Sequence, residues 1–373
     1  MPDARPRAGL SRPDWPPVGE RVLPRPDVPF PVTDEFVVRA DLRRPAPGAD
    51  ADLLRLDDAW PRYAAAKLAA LDADPDGFAL VARGVDPAGT APRGRAEVPT
   101  DASSTCPAAT GALDPGAPGA LAGVFDAMLA RLAHAHPGVV AANERAGAAT
   151  YAFPHAGLEV VPRAGEVRAL VPASRPLAER LRALEPARRV LAAIAVSLQE
   201  DLALMTERDG ELVAHALAVA LPSGWRPREK LGRPLHAIHA PVAGGDALRA
   251  ASAALARAMV EKGPFVRHVW TLADDDRFAR PPLEGAPGRT APRDVSELWF
   301  RCERQVTLPL PEWRSSLFLI RVLVAPLAEV AASAARRERL VRSLRSMSDE
   351  VVRYKGLAAA RDVVLRAWGE GVR

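Results

Sequence analysis

Apolar residues along this chain recur with two spacings, one helical and one alternating, and the switches between them mark the expected elements. Phe36-Val-Val-Arg-Ala-Asp-Leu42 and Phe78-Ala-Leu-Val-Ala82 are short apolar runs that predict strands, with a helix between them at 59–71. Leu121, Val124, Met128, Leu129 and Leu132 fall on one helical face, which predicts a helix over 121–135. The segment 158–171 reads as a hairpin turning at Arg163-Ala-Gly165, and 179–199 as mostly helix with a break near Glu185-Pro186. Two strands then follow at about 200–206 and 211–221, a helical stretch at about 226–262, and three strands at about 265–272, 297–308 and 316–325. The chain ends in helices at about 327–347 and 349–369. Proline-rich 1–34 predicts an arm lying on the domain surface. The Gly, Pro, Ala, Ser and Thr of 84–118 predict a long loop, and 274–295 is a charged loop between two strands.

These elements give a mixed α/β chain of the α+β kind. Its core at 196–326 has two strands, helices, then three strands. An arm at 1–45 and an elaboration at 46–195 precede it, and a helical tail at 327–373 follows. Composition narrows the class of protein. Apolar residues are 48% and charged residues 26% of 373, ordinary values for a chain with a large buried core. The net charge is only +4, and Lys67, Lys230, Lys262 and Lys355 are the only lysines among 50 basic residues. The arginines are interspersed with acids and form no aromatic-studded basic stripe, so no nucleic-acid partner is expected. Cys106, in a loop-like segment, and Cys302, in a strand, make neither a disulfide framework nor a CxxC metal site. No N-terminal apolar segment and no run long enough to cross a membrane is present, so the expectation is a cytoplasmic protein without a membrane partner. The chain has no GxSxG, HExxH, Walker or strand-linked GxGxxG motif.

Three neighbouring segments stand out: Leu198-Gln-Glu-Asp-Leu-Ala-Leu-Met205, Ala220-Leu-Pro-Ser-Gly-Trp225 and Glu229-Lys-Leu-Gly-Arg-Pro-Leu-His-Ala-Ile-His-Ala-Pro-Val242. Three more follow at Arg301-Cys-Glu-Arg-Gln305, Leu319-Ile-Arg-Val-Leu-Val-Ala-Pro-Leu327 and Tyr354-Lys-Gly-Leu357. In these motifs, and in their order, the chain resembles the haem-binding alpha subunit of the haem-dependent oxidative N-demethylases; the likeness reaches back to 57–71. The resemblance implies a PAS-like core whose antiparallel sheet and helices enclose haem b. It also implies O2-dependent conversion of a small N-methyl amine to formaldehyde and the shorter amine. Electrons would come from separate reductase subunits carrying flavin and an iron–sulfur centre. A haem-binding PAS sensor, or a non-catalytic scaffold, is the alternative.

The resemblance puts His239 of Ile-His-Ala-Pro-Val at the family's histidine, and so makes it the proximal iron ligand. Imidazole is a common proximal ligand where haem binds oxygen, and its second nitrogen needs a carbonyl or carboxylate partner. His236 lies three residues earlier, a zinc-like spacing with no third ligand in view. Strand parity exposes two arginines. Arg304 falls among Leu298, Phe300, Cys302, Val306 and Leu308, and Arg321 interrupts an apolar run. A buried guanidinium needs an anion, which haem propionates or the carboxylates of Glu200, Asp201 or Glu303 would supply. Glu200 and Asp201 open their strand on opposite faces; either would hold a substrate ammonium or simply pair with an arginine. Lys230 and Arg233 fit propionates or a solvated helix face. His268 shares the parity of Val266 and Trp270 and is expected to look into the pocket from the side opposite His239. At Val269 the chain departs from the family, where Asn is expected. Trp225 and Trp270 read as core aromatics.

Overall fold

A computed structural model describes residues 53–54, 56–82, 118–239, 250, 252–280, 282 and 291–370. The expected strand at 36–42, the arm at 1–34, all of the loop expected at 84–118 but its last residue, and Cys106 lie outside these residues.

The fold is mixed α/β and built on two antiparallel sheets. The larger sheet has β1 (Leu80–Val81), β6 (Asp201–Arg208), β7 (Glu211–Ala218), β8 (Phe265–Ala273), β9 (Trp299–Leu310) and β10 (Ser315–Pro326). Its order is β1-β7-β6-β10-β9-β8, so the last strand lies at the centre between β6 and β9. The smaller sheet is a meander of β2 (Ala141–Arg145), β3 (Ala148–Phe153), β4 (Leu158–Val161) and β5 (Glu166–Ala169). Its last hairpin, β4–β5, turns where expected. Gly165 takes a left-handed conformation at φ 63°, and a side chain there would collide with Pro186. The break at Glu185-Pro186 is a helix start: Pro186 opens the helix Pro186–Val196, where its missing N–H costs nothing.

Register decides which side chains share a face of the large sheet. Leu317, Leu319, Arg321 and Leu323 of β10 lie on one face, opposite Leu308, Val306, Arg304 and Cys302 of β9. Val266, His268 and Trp270 of β8 continue those rows. This face is closed at both ends. Leu202, Leu204, Val266, Val306, Leu317 and Leu319 pack in the core with the helices α1 (Trp60–Ala73), α2 (Pro118–Ala135) and Pro186–Val196. Trp270, Cys302, Phe300 and Leu323 pack instead with the C-terminal helices Ala334–Ser346 and Ala358–Trp368. Between the two apolar clusters runs a polar row, His268–Arg304–Arg321, one residue from each strand.

The other face differs. Ala203, Met205 and Leu217 pack there with Leu235 of the short helix Leu235–Ile238 and with Ala256, Met259 and Val260 of the helix Ser252–Glu261. Beyond that cluster the face is half-open: Arg267, Val269, Thr271, Glu303, Gln305, Phe318, Ile320 and Val324 keep partial exposure, while Arg301, Thr307 and Val322 of the same face are buried. This half-exposed patch in mid-sheet, bordered by the helix Ser252–Glu261, is the candidate ligand surface.

Candidate functional site

His239 caps the helix Leu235–Ile238 on the open-face side. Its ring nitrogen Nδ1 lies 2.8 Å from the Leu235 carbonyl oxygen, to which it donates when that nitrogen carries the proton. The lone pair is then on Nε2. Burial holds the imidazole below its usual range, and the charges of Arg267 and Lys230 push the same way against the Leu235 bond. His239 is thus a neutral, oriented base with one nitrogen available to a metal. His236 is turned elsewhere, with Nδ1 2.9 Å from Glu211 Oε1, so the two histidines do not form a zinc pair. Among the described residues no cluster of three His, Cys, Asp or Glu side chains is arranged to hold a bare metal ion.

Several cations gather around this surface. Lys230 Nζ donates to the Ile238 carbonyl at 3.0 Å and is held below the usual lysine range by burial. Arg267 acts on His239 from β8. Lys355 follows the helix Asp349–Tyr354 and donates to the Trp270 carbonyl at 2.9 Å, on the outer edge of β8. Burial lowers its pKa to about 8, opposed by Glu303. Tyr354 beside it is 49% exposed, and the charges of Glu303 and Arg267 reach it. With only four lysines in the chain, this is directly testable. After reductive methylation with labelled formaldehyde, the Lys355 methyl resonance is expected to titrate near pH 8, and Lys355→Arg should remove that signal alone. A midpoint near 10.5 would refute the placement.

Other expected site residues lie elsewhere. Arg304 and Arg321 are each 1% exposed on the closed face, and for Arg321 the anions are carboxylates of the protein. Arg321 pairs with Asp57 at 2.5 Å, with Glu200 at 3.9 Å and the Tyr63 ring beneath it. Asp57 is fixed in turn by a reciprocal pair of bonds with Gln199, at 2.9 and 2.8 Å. Asp201 pairs with Lys67 at 3.3 Å and accepts from the Leu221 amide at 2.8 Å. Glu200 and Asp201 are therefore engaged carboxylates, 2% and 1% exposed, and not an open cation site. His268 shares the closed face with Arg304, which corrects its expected view toward His239; on β8 it is Arg267 that faces that side. Arg233 is exposed, and its carbonyl accepts from the Ala214 amide. Val269 lies on the open face directly across from Glu303. Trp270 is a core aromatic stacked on Phe300.

The sequence pattern carried signals for the residues it did not single out. Lys67 stands four residues from both Tyr63 and Leu71, inside the apolar stripe of α1, where a lysine must find an anion. Arg267, Glu303 and Gln305 belong to the polar half of the β8 and β9 alternation, and all three keep partial exposure.

A family model described as haem-dependent oxidative N-demethylase, alpha subunit-like, matches residues 111–365. The chain belongs to this family. The match spans the smaller sheet, all but β1 of the large sheet and most of the C-terminal helices, and it includes His239 and the whole open-face patch. The family description makes these demethylase-like subunits haem-dependent, and as alpha subunits they are parts of a larger assembly. No helix among the described residues is long and apolar enough to cross a membrane.

Proposed function

We propose that this N-demethylase-like chain binds haem b through His239 and, with O2 and two electrons, oxidises the N-methyl group of a small amine. In the overall reaction the amine, O2, two electrons and two protons give the demethylated amine, formaldehyde and water. The observation that carries the reading is His239, a neutral imidazole with Nδ1 aimed at the Leu235 carbonyl, beside a half-open patch of sheet. From Nε2 this imidazole would hold the haem iron. The surroundings fit the rest of the group. Phe318 and Ile320 offer apolar surface, and Lys230, Arg267 and Lys355 offer cations to propionates. Haem, once bound, supplies the site for oxygen activation; the protein supplies the ligand, the orientation and the polarity of the facing wall.

On this reading the core at 196–326 is PAS-like, which the closing of its five strands into one antiparallel sheet supports. The arm at 1–45, the elaboration at 46–195 and the tail at 327–373 are accessory to it. The electrons come from separate subunits carrying flavin and iron–sulfur, in keeping with an alpha subunit.

The test is an absorption spectrum after reconstitution of the purified chain with haemin. The expected result is a stoichiometric Soret band that shifts on dithionite reduction, followed by formaldehyde release from a methylamine when a reductant is supplied. A chain that takes up no haem is a binding or scaffold subunit, and the proposal fails. A chain with the band and no amine oxidation with any reductant is a sensor.

A further inference from the structure

An N-methyl amine is a cation at neutral pH, so a cleft that takes one needs an anion on its wall. Glu303 is the only acidic residue in β8, β9 and β10. Its side chain is 18% exposed, against 2% for Glu200 and 1% for Asp201, which Arg321 and Lys67 already engage. Two bonds hold Glu303 in place without consuming it: Ser223 Oγ donates to Oε1, and Gln305 Nε2 donates to Oε2 at 2.9 Å. Arg301 stands 3.8 Å away, but its donors are directed to the Phe278 and Leu221 carbonyls and to Ser223 Oγ, at 2.7, 3.2 and 2.7 Å. A carboxylate has about four acceptor positions, so Glu303 retains capacity for another donor. Directly across the ladder lies Val269, an apolar side chain on the same open face. A fixed carboxylate beside an aliphatic surface is the chemistry that recognises a methylated ammonium: charge and N–H to the oxygens, methyl groups to the valine.

Resting on the reading of the open face as the amine-oxidising cleft, we infer that Glu303 holds the substrate's ammonium group and that Val269 packs against its methyl groups. The probe is dimethylammonium chloride, titrated calorimetrically into the full haem-reconstituted chain. Wild type is expected to bind, Glu303→Gln at least ~10-fold more weakly, and Glu303→Asp in between. The Soret band and thermal midpoint of Glu303→Gln should stay at wild-type values, which separates loss of the anchor from loss of the haem or the fold. Equal affinity in Glu303→Gln, a wild type that does not bind the amine, or loss of the Soret band in the variant would each overturn the assignment. Haem uptake by wild type is read independently from its Soret band, so failure of the haem reading and failure of the anchor are distinguishable.

Discussion

His239→Ala is expected to abolish stable haem uptake while leaving the fold intact. Disturbing a residue that merely orients a metal ligand lowers metal affinity about 10- to 100-fold, so removal of the ligand itself should cost at least ~100-fold. Reconstituted variant protein should show free haemin by absorption, and 10 mM imidazole should restore a Soret band in His239→Gly by filling the vacated position. A variant that retains the wild-type band places the ligand elsewhere. The pH dependence follows from the direction of the shift. Iron competes with the proton for Nε2, and burial lowers the pKa of His239 from its ordinary 6.5. Protonation therefore begins to compete only at more acidic pH. Haem affinity should stay flat as pH falls through 6.5 and decline further down. A decline centred at 6.5 or above would show that the imidazole is not held as described.

How much of this was legible in the sequence depends on how far each signal is local. The five core strands and most helices follow from periodicity, because one face of each is buried against a continuous core. The β2–β3 hairpin was not legible: Ala141–Arg145 is largely exposed and alanine-rich, with no alternation to read. The long helical stretch expected at 226–262 is broken within the described residues into a 3-10 turn at Pro227–Glu229 and the helices Leu235–Ile238 and Ser252–Glu261. Gly232 at φ 73° and the bridge from Pro234 to Val213 interrupt it. Parity identified Arg304 and Arg321 as odd, and both are buried. Parity alone groups residues by face without saying which face receives a ligand, so it could not place His268 relative to His239. The partner of Arg321, Asp57, lies more than 260 positions away, and no local pattern couples them.

Lys67→Met is expected to destabilise the chain by about 3–5 kcal/mol, the usual cost of removing one member of a buried ion pair. Lys67 is fully buried. It ties α1 to the Ala195 and Glu200 carbonyls at 3.0 and 2.5 Å as well as to Asp201. Methionine fills the space but leaves the Asp201 carboxylate with backbone amides and no ion-pair partner. Burial already raises the pKa of Asp201, and Lys67 is the largest influence opposing that rise. In the variant the folded-state pKa climbs further above the unfolded value. Between those two values the folded state binds more protons than the unfolded one, so stability falls as pH rises. The loss should therefore be larger at pH 8 than at pH 5 in urea unfolding, and Lys67→Met with Asp201→Asn should recover most of it by removing the orphaned charge. Equal stability of Lys67→Met and wild type at pH 8 would mean the pair does not form. The pair also bears on the site. Asp201 grips the Leu221 amide, Leu221 and Ser223 grip Arg301, and Ser223 donates to Glu303. Losing Lys67 thus loosens the segment that holds the open-face carboxylate, and Lys67→Met should weaken dimethylammonium binding although Lys67 lies outside the cleft. Asp201→Asn alone, which keeps an acceptor for Leu221, should weaken it less.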